Sequence, residues 1–284
     1  MTKKILITGA DGFVGTNLTM ALGPRYDVAA CNRKQLDLLD TQRVASFLES
    51  EKFDVVIHTA VYDAAPEFST NDPNKVLEYN LRMFDNIARC DYSYKTMIYF
   101  GSGAAARRET SYGLSKYLMD QVTQNKNNIY NLRLYSVYGK GTDWRYRFIN
   151  NACAKVSLGL PIKIPCIGKN DYLCVDDLCR IVEYYMHNFK DLPKSRDICS
   201  GDVLSAEEIV NYIRLVRSDV EVLQWNEVSS RWTGSRAKSS KDDYFGDPSH
   251  VGALPINLTS IERGIEQLIS FYENSSLDPK EFIY

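Results

Sequence analysis

Short apolar runs alternate with amphipathic stretches from the start of the chain. Ile5, Leu6 and Ile7 make a β-prone run long enough for one buried strand of a parallel sheet. The run breaks at Gly9, and Val14, Leu18, Ala21 and Leu22 then recur at helical spacing. Val28 to Cys31 predicts a second strand, followed by a helix with Val44, Phe47 and Leu48 on one side. Asp54 to His58 predicts a third strand. A loop holding Pro66 and Pro73 then leads to a helix whose buried face carries Val76, Leu77, Leu81, Phe84 and Ala88. Thr96 to Phe100 predicts a fourth strand, with Leu118, Met119 and Val122 on the helix after it. This alternation predicts an α/β fold, a doubly wound parallel sheet with helices on both faces.

The later chain has the same vocabulary in less regular order. A helix is expected over 147–158 and a short strand from Ile162 to Pro165. Ser205 with Glu208, and Thr259 with Glu262, have capping-box spacing and predict two late helix starts. Asp176 and Asp177 read as a helix cap. Between the late helices, Thr233 to Gly252 is polar and glycine-containing and reads as a surface excursion. No repeat and no clean linker divides the chain. The expected organisation is a dinucleotide-binding domain over 1–142, with 162–200 partly returning to it, and a smaller substrate-binding lobe mainly over 143–284.

Composition narrows the function. Lys plus Arg number 34 and Asp plus Glu 36, so there is no global field to recruit nucleic acid or an anionic membrane. Three His residues argue against a His-based metal site, and no metal is expected. The seven Cys are scattered, without a C-x-x-C pair, as buried thiols of a reducing compartment would be. No signal peptide is expected, since the first strand starts directly behind Lys3 and Lys4, and no apolar run approaches the roughly 20 residues a membrane span needs. The expectation is a cytoplasmic protein.

Candidate chemistry begins at the first turn. Gly9, Gly12 and Gly15 stand between a strand and a helix. In such a turn, absent side chains let the backbone approach a pyrophosphate, and the helix N-terminus offers N–H groups and a favourable dipole. The second strand ends in Asn32, Arg33 and Lys34. Basic residues at this edge favour a ribose 2′-phosphate, hence NADP over NAD, where an acidic residue would do the reverse. The third strand ends in Thr59, Ala60 and Val61, small enough for a cofactor to lie against them. Asn80 sits among apolar neighbours on its helix, either as a partly exposed polar residue or as the holder of a water or backbone group near a site. The fourth strand ends in Gly101, Ser102 and Gly103, and Tyr112 and Lys116 open the next helix four residues apart, on one face. A lysine ammonium lowers the pKa of a nearby phenol, which can then exchange a proton with a carbonyl or alcohol oxygen. A serine hydroxyl can bond the same oxygen. This is apparatus for hydride transfer beside a nicotinamide.

TGADGFVG, the Asp37-Leu38 pair, HTAV, Asn80, GSG and YGLSK resemble, in order and spacing, the extended short-chain dehydrogenase/reductases, the sugar-nucleotide epimerases, dehydratases and reductases. NLRLYSVYGKG (131–141), DYLCVDDLCRIVEYY (171–185) and the segment 254–273 extend the likeness over nearly the whole chain. The resemblance implies a Rossmann-type fold. It implies that Gly9, Gly12 and Gly15 cradle the pyrophosphate, with Asp11, Phe13 and Val14 in the same turn. Arg33 would meet the 2′-phosphate beside Asn32, and Asp37 and Leu38 would flank the adenine. Ser102, Tyr112 and Lys116 would be the catalytic triad, with Lys116 also on the nicotinamide ribose and Asn80 in support. Tyr135 and Val137 would lie in the strand and turn beyond the nicotinamide. Helix pairing in a homodimer is implied as well. For the nucleotide-sugar substrate, Ser102, Gly103, Arg145, Arg147 and Arg236 are the candidates. Arg145 and Arg147 read equally as pyrophosphate ligands or as solvated arginines at a helix start.

The chain departs from its relatives in informative places. Ser102 and Tyr112 are only ten positions apart, where the family usually has a substrate loop of roughly twice that length or more. Ser102, Gly103 and Ala104 replace the Thr-Asp-Glu set of the dehydratases, so water elimination lacks its acid and base. The GDP-fucose synthases carry a Cys where Ala104 stands and use a later His, yet none lies between His58 and His187. The expectation is therefore an NADPH-dependent reductase of a nucleotide-activated 4-keto-6-deoxy sugar, a reading that NRKQLDLLD supports by its likeness to the dTDP-4-dehydrorhamnose reductases. The alternatives are an NAD-dependent 4-epimerase and a non-catalytic dinucleotide sensor.

Overall fold

The computed structural model describes residues 2–64, 69–164, 168–224 and 243–282. The chain divides into two compact units, residues 1–134 with 179–198, and residues 135–178 with 199–284. The first unit thus ends before the expected residue 142, and the returning segment starts at Cys179, later than 162.

The first unit is built from β1 (Lys4–Thr8), α1 (Phe13–Leu22), β2 (Asp27–Cys31), α2 (Thr41–Glu51), β3 (Phe53–His58), α3 (Val76–Ala88), β4 (Tyr94–Ser102), α4 (Ser111–Gln124) and β5 (Ile129–Leu134). Its strands form a six-stranded sheet, ordered β2-β1-β3-β4-β5-β9, where β9 is Ser195–Ile198. Every pairing in it is parallel. Leu6, Val56, Met97 and Tyr99 pack on one face with Val44, Leu48, Phe84 and Met119 of the helices. The alternate positions Ile5, Ile7, Val55, Ile57 and Ile98 point to the other face and are equally buried, so both faces are covered. The strand order reverses at β1, which has β2 on one side and β3 on the other. Ligands of such sheets bind outside the carboxyl ends of the strands at that reversal.

In the second unit, β6 (Ser136–Tyr138), α5 (Phe148–Ser157), β7 (Ile162–Ile164) and β8 (Asn170–Cys174) come first, followed by the start of α6 (Val175–Asn188). After β9, the unit resumes with β10 (Val203–Leu204), α7 (Ala206–Val216), β11 (Val222–Gln224), α8 (Ser249–Gly252) and α9 (Ile261–Glu273). β10-β8-β6 and β11-β7 form two small sheets, and Ile149, Ala152, Ile209, Ile213, Ile265 and Leu268 are among its core. Among the described residues no helix is long and apolar enough to cross a membrane.

Helix starts corrected two expectations and met a third. Ser205 and Glu208 form the full capping box on α7. At α9 the cap is Ser260, which accepts from Arg263 N–H, and Thr259 is excluded from that role. Its N–H and Oγ1–H both donate to the buried carboxylate of Asp177, each at 2.8 Å. Asp176 and Asp177 correspondingly stand inside the first turn of α6, beyond its start at Val175, so neither is its cap. Residues 233–242 of the expected excursion 233–252 lie outside the described residues. Its end is anchored by the bridge from Tyr244 to Asn170 and by the buried Val251 of α8.

Candidate active site

The turn after β1 is shaped by its glycines. Gly9 takes φ +67°, and a Cβ there would lie 2.7 Å from both N and Cα of Ala60, at the end of β3. Thr59 Oγ1 donates to Thr8 O at 2.6 Å and ties the same two strand ends. Gly12 is the N-cap of α1, with no side-chain acceptor and no acidic residue in the first turn, which leaves the first N–H groups of the helix to an outside acceptor. A Cβ on Gly15 would run into Gly9 O and lie 2.9 Å from Ala10 Cα. Asp11 is exposed at the tip, with Phe13 and Val14 half-buried behind it. A cradle that side chains would fill, at the reversal point of a parallel sheet, fits a dinucleotide pyrophosphate.

At the end of β2, Asn32 is committed to the turn itself. Its Oδ1 accepts from the N–H groups of Lys34 (3.0 Å) and Gln35 (3.3 Å). Arg33 is 71% exposed and only loosely paired, its Nε 3.9 Å from Asp37 Oδ2. Leu38 belongs to the core beneath α2, and its carbonyl accepts from Asn86 Nδ2 at 2.8 Å. Its side chain is 4% exposed and packs inside the fold, while Asp37 beside it is partly exposed.

Beyond β3, Thr59 and Ala60 are half-buried and Val61 is exposed. Asn80 is 3% exposed, and its carboxamide is spent on backbone. Oδ1 accepts from Tyr62 N–H at 2.9 Å, and Nδ2 donates to Tyr62 O and to Val76 O, both at 2.8 Å. Of the two readings of this residue, the structure has it holding a backbone, a role that positions the loop after β3.

Ser102 ends β4, and its Oγ accepts from Ala104 N–H at 3.1 Å. The short 3-10 turn Gly103–Ala106 follows at once. Thr110 caps α4 by accepting from Gly113 N–H at 3.0 Å. A Cβ on Gly113 would lie 2.5 Å from Ala104 O, so the glycine next to Tyr112 lets this compact loop pack onto the helix start. Lys116 is 5% exposed, and its Nζ donates to Phe100 O at 2.8 Å. The same ammonium lies 5.5 Å from the ring centroid of Tyr112 and 4.9 Å from that of Tyr99. Burial lowers the Lys116 pKa to about 7, with the carboxylate of Asp63 opposing the shift. Tyr112 itself is half-buried.

Several candidates lie in the second unit. Tyr135 is at its start, with its ring 5.1 Å from that of Tyr244, and Val137 sits in β6 opposite Leu173. Arg145 forms a fork with Asp143, Nε to Oδ1 at 2.8 Å and Nη2 to Oδ2 at 2.6 Å. Arg147 is exposed, its guanidinium 5.1 Å from the ring of Tyr146. Arg236 lies outside the described residues.

Three residues near Lys116 escaped the sequence reading. His58, which read only as a strand end, is buried and shares a 2.9 Å hydrogen bond with Thr8 Oγ1. Burial and the neighbouring Lys116 charge push its pKa down to about 3, so it is neutral at physiological pH. Tyr99 is buried between Phe84 and the Lys116 ammonium. Asp63 acts on Lys116 from the β3 loop. None carries a local signal, because each matters only through a neighbour distant in sequence.

The fold has counterparts among known proteins. The chain is 23% identical over 248 residues to the GDP-L-colitose synthase of Yersinia pseudotuberculosis, covering 74% of this chain and 80% of that protein. It is 22% identical over 304 residues to the GDP-6-deoxy-D-talose 4-dehydrogenase of Aggregatibacter actinomycetemcomitans, covering 97% and 99%. In structure it is similar to the NADP-bound GDP-mannoheptose C4 reductase of Campylobacter jejuni, with a TM-score of 0.79, 21% identity, and coverage of 96% and 99%. The family profile described as "NAD dependent epimerase/dehydratase family" matches residues 5–201. With its glycine cradle at the sheet's reversal point and its Tyr112–Lys116 helix, the chain belongs to this family of NAD(P)-dependent sugar-nucleotide enzymes.

Proposed function

We propose that the protein is an NADPH-dependent reductase of a nucleotide-activated 4-keto-6-deoxy sugar. The observation that carries this reading is the Lys116 ammonium, buried against Phe100 O and beside the ring of Tyr112. Gly9, Gly12 and Gly15 would hold the pyrophosphate, and the exposed Arg33 would meet the 2′-phosphate that distinguishes NADPH. When bound, the reduced nicotinamide supplies hydride. Ser102 Oγ donates a hydrogen bond to the keto oxygen and orients it. Tyr112 gives its phenolic proton to that oxygen as the alcohol forms. Lys116, as an ammonium, stabilises the phenolate left behind and so lowers the cost of the transfer. Gly103 and Ala104 stand where the dehydratases carry their acidic pair, which favours simple reduction. The similarity to a C4 reductase and to a 4-dehydrogenase supports chemistry at that carbon.

Arg147 is the better placed of the two arginines for the substrate's phosphates, since Asp143 already occupies the fork of Arg145. Leu118 and Val122 are exposed on α4 and support its use as a homodimer face. The buried thiols fit a reducing cytoplasm.

Calorimetry on protein stripped of nucleotide tests the reading. Tight NADPH and weak NADH are expected, followed by turnover of a 4-keto nucleotide sugar that Tyr112→Phe abolishes while cofactor binding persists. NAD retained through purification, with no NADPH preference and with epimerisation of UDP-hexoses, would overturn it. A monomer in sedimentation at micromolar concentration would remove the homodimer.

A further inference from the structure

Tyr112, Lys116 and Asp120 follow one another at four-residue steps along α4 and share one side of the helix. Lys116 ties this side to β4, through Phe100 O at 2.8 Å. Asp120, one turn further on, ties it to β5 and β9. Its Oδ1 accepts from Asn131 Nδ2 at 2.6 Å and from Ser195 Oγ at 2.9 Å. Its Oδ2 lies 3.7 Å from Arg133 Nη1, and Arg133 Nε donates to Asp197 Oδ1 at 2.6 Å. Ser195 Oγ accepts from Arg133 Nη1 and gives its own hydrogen to the Asp120 carboxylate.

The sheet is shaped for this contact. Tyr99, Asn131 and Ser195 form one row across β4, β5 and β9, and Gly101, Arg133 and Asp197 form the row two residues on. Positions two apart on a strand share a face, so both rows lie on the face that α4 covers. A Cβ on Gly101 would run into Asn131 Oδ1, so the bare Cα leaves the space that the carboxamide fills. Asn131 is 1% exposed, and its Oδ1 is buried with no hydrogen-bond partner among the described residues. Such an unmade bond is costly, and it follows from Asp120, a carboxylate that can only accept and so takes Nδ2.

We propose that Asp120 is a positioning residue of the active site, clamping α4 to the sheet so that Tyr112 and Lys116 stand where the reaction needs them. The catalytic use of those two residues rests on the reductase reading above; the clamp itself does not. Lysine reaches its acceptor through a flexible four-carbon stem, so the Lys116–Phe100 bond tolerates a helix that slides or rolls. A carboxylate on a single methylene does not, because it meets donors from two strands at once. Ser102 belongs to the same frame, since it follows Gly101, whose Cα packs against the Asn131 carboxamide. A misplacement of about 1 Å between such groups can cost on the order of 100-fold in rate.

The test combines steady-state kinetics with amide hydrogen exchange. Asp120→Ala removes the clamp and leaves the donors of Asn131 and Arg133 behind. For the 4-keto nucleotide sugar that the wild type reduces, kcat should fall about tenfold or more, with KM and NADPH affinity within about twofold. In the cofactor-free protein, exchange of the α4 amides over 113–120 should quicken by about tenfold or more. Asp120→Asn keeps an oxygen for Asn131 and Ser195 and should restore both readouts. Thr123→Ala separates positioning from stability. Thr123 is buried in the last turn of α4 and its hydroxyl bonds within the helix, to Met119 O at 2.9 Å, so this variant should lose stability and keep kcat. Unchanged kcat or unchanged exchange in folded Asp120→Ala overturns the inference, as does an equal loss of kcat in Thr123→Ala. If Asp120→Ala does not fold, Ser195→Ala, which removes one donor to the carboxylate, decides by the same criteria. A wild-type protein that reduces no 4-keto sugar overturns the reductase reading instead, and the exchange data then decide the clamp.

Discussion

Asn80 and Tyr62 are joined through both main-chain groups of Tyr62, the Asn80 Oδ1 accepting its N–H and the Nδ2 donating to its carbonyl. A single buried side chain on α3 therefore substitutes for a strand neighbour in the segment just beyond β3. Asn80→Ala removes these bonds and a third to Val76 O. We expect a loss of about 1–3 kcal/mol in urea denaturation. Turnover should fall more than cofactor affinity, because the loop and not the glycine turn is released.

Gly15→Ala tests the cradle. Its new methyl would meet Gly9 O and Ala10 Cα, both backbone, so α1 must shift away from the turn. Overpacking of this kind costs about 1–3 kcal/mol. Calorimetry should show dinucleotide affinity lowered with it. Gly252→Ala is the control, since a Cβ there meets nothing within 4 Å and both measurements should stay unchanged.

His58 gives the protein a sensitivity to acid. Its pKa falls from 6.5 in the unfolded chain to about 3 in the folded one. Between these values the unfolded state binds the extra proton, so stability is lost as pH falls through that window. The loss from this residue alone reaches about 2 kcal/mol between pH 6.5 and pH 5. His58→Phe keeps the stacking against Tyr99 and Phe84 and removes the titration. Urea midpoints at the two pH values should lie closer together in the variant than in the wild type.

Arg33→Glu should invert the cofactor preference. The side chain is exposed, and its contact with Asp37 is too long to hold it against a phosphate. A carboxylate there repels a 2′-phosphate and accepts from a 2′-hydroxyl. The NADPH-to-NADH affinity ratio should fall by about an order of magnitude or more, and an unchanged ratio would exclude Arg33 from the site.

Some of this molecule was legible in its sequence because the signal is local. Strand and helix periodicities lie within a few residues, so the alternation through β4 and α4 and the parallel sheet follow from the chain alone. The glycine spacing and the four-residue step from Tyr112 to Lys116 are likewise local, as is the Ser205–Glu208 box. The matched sequence of motifs was enough to indicate the family.

What only the tertiary structure decided depends on partners far apart in the chain. Thr259 has the chemistry of a helix cap, yet Asp177 claims it across 82 residues, and Ser260 caps instead. Leu38 belongs in sequence to the polar turn after β2 but packs inward, where α2 and α3 complete its burial. Asn80 is a helix polar residue until Tyr62 is brought to it. The charge on Lys116 is the clearest case. Its spacing from Tyr112 is written in the helix, but burial against β4 and the field of Asp63 set how tightly it holds its proton. Periodicity is a property of neighbours along the chain, whereas desolvation and electrostatic fields are sums over everything the fold brings near.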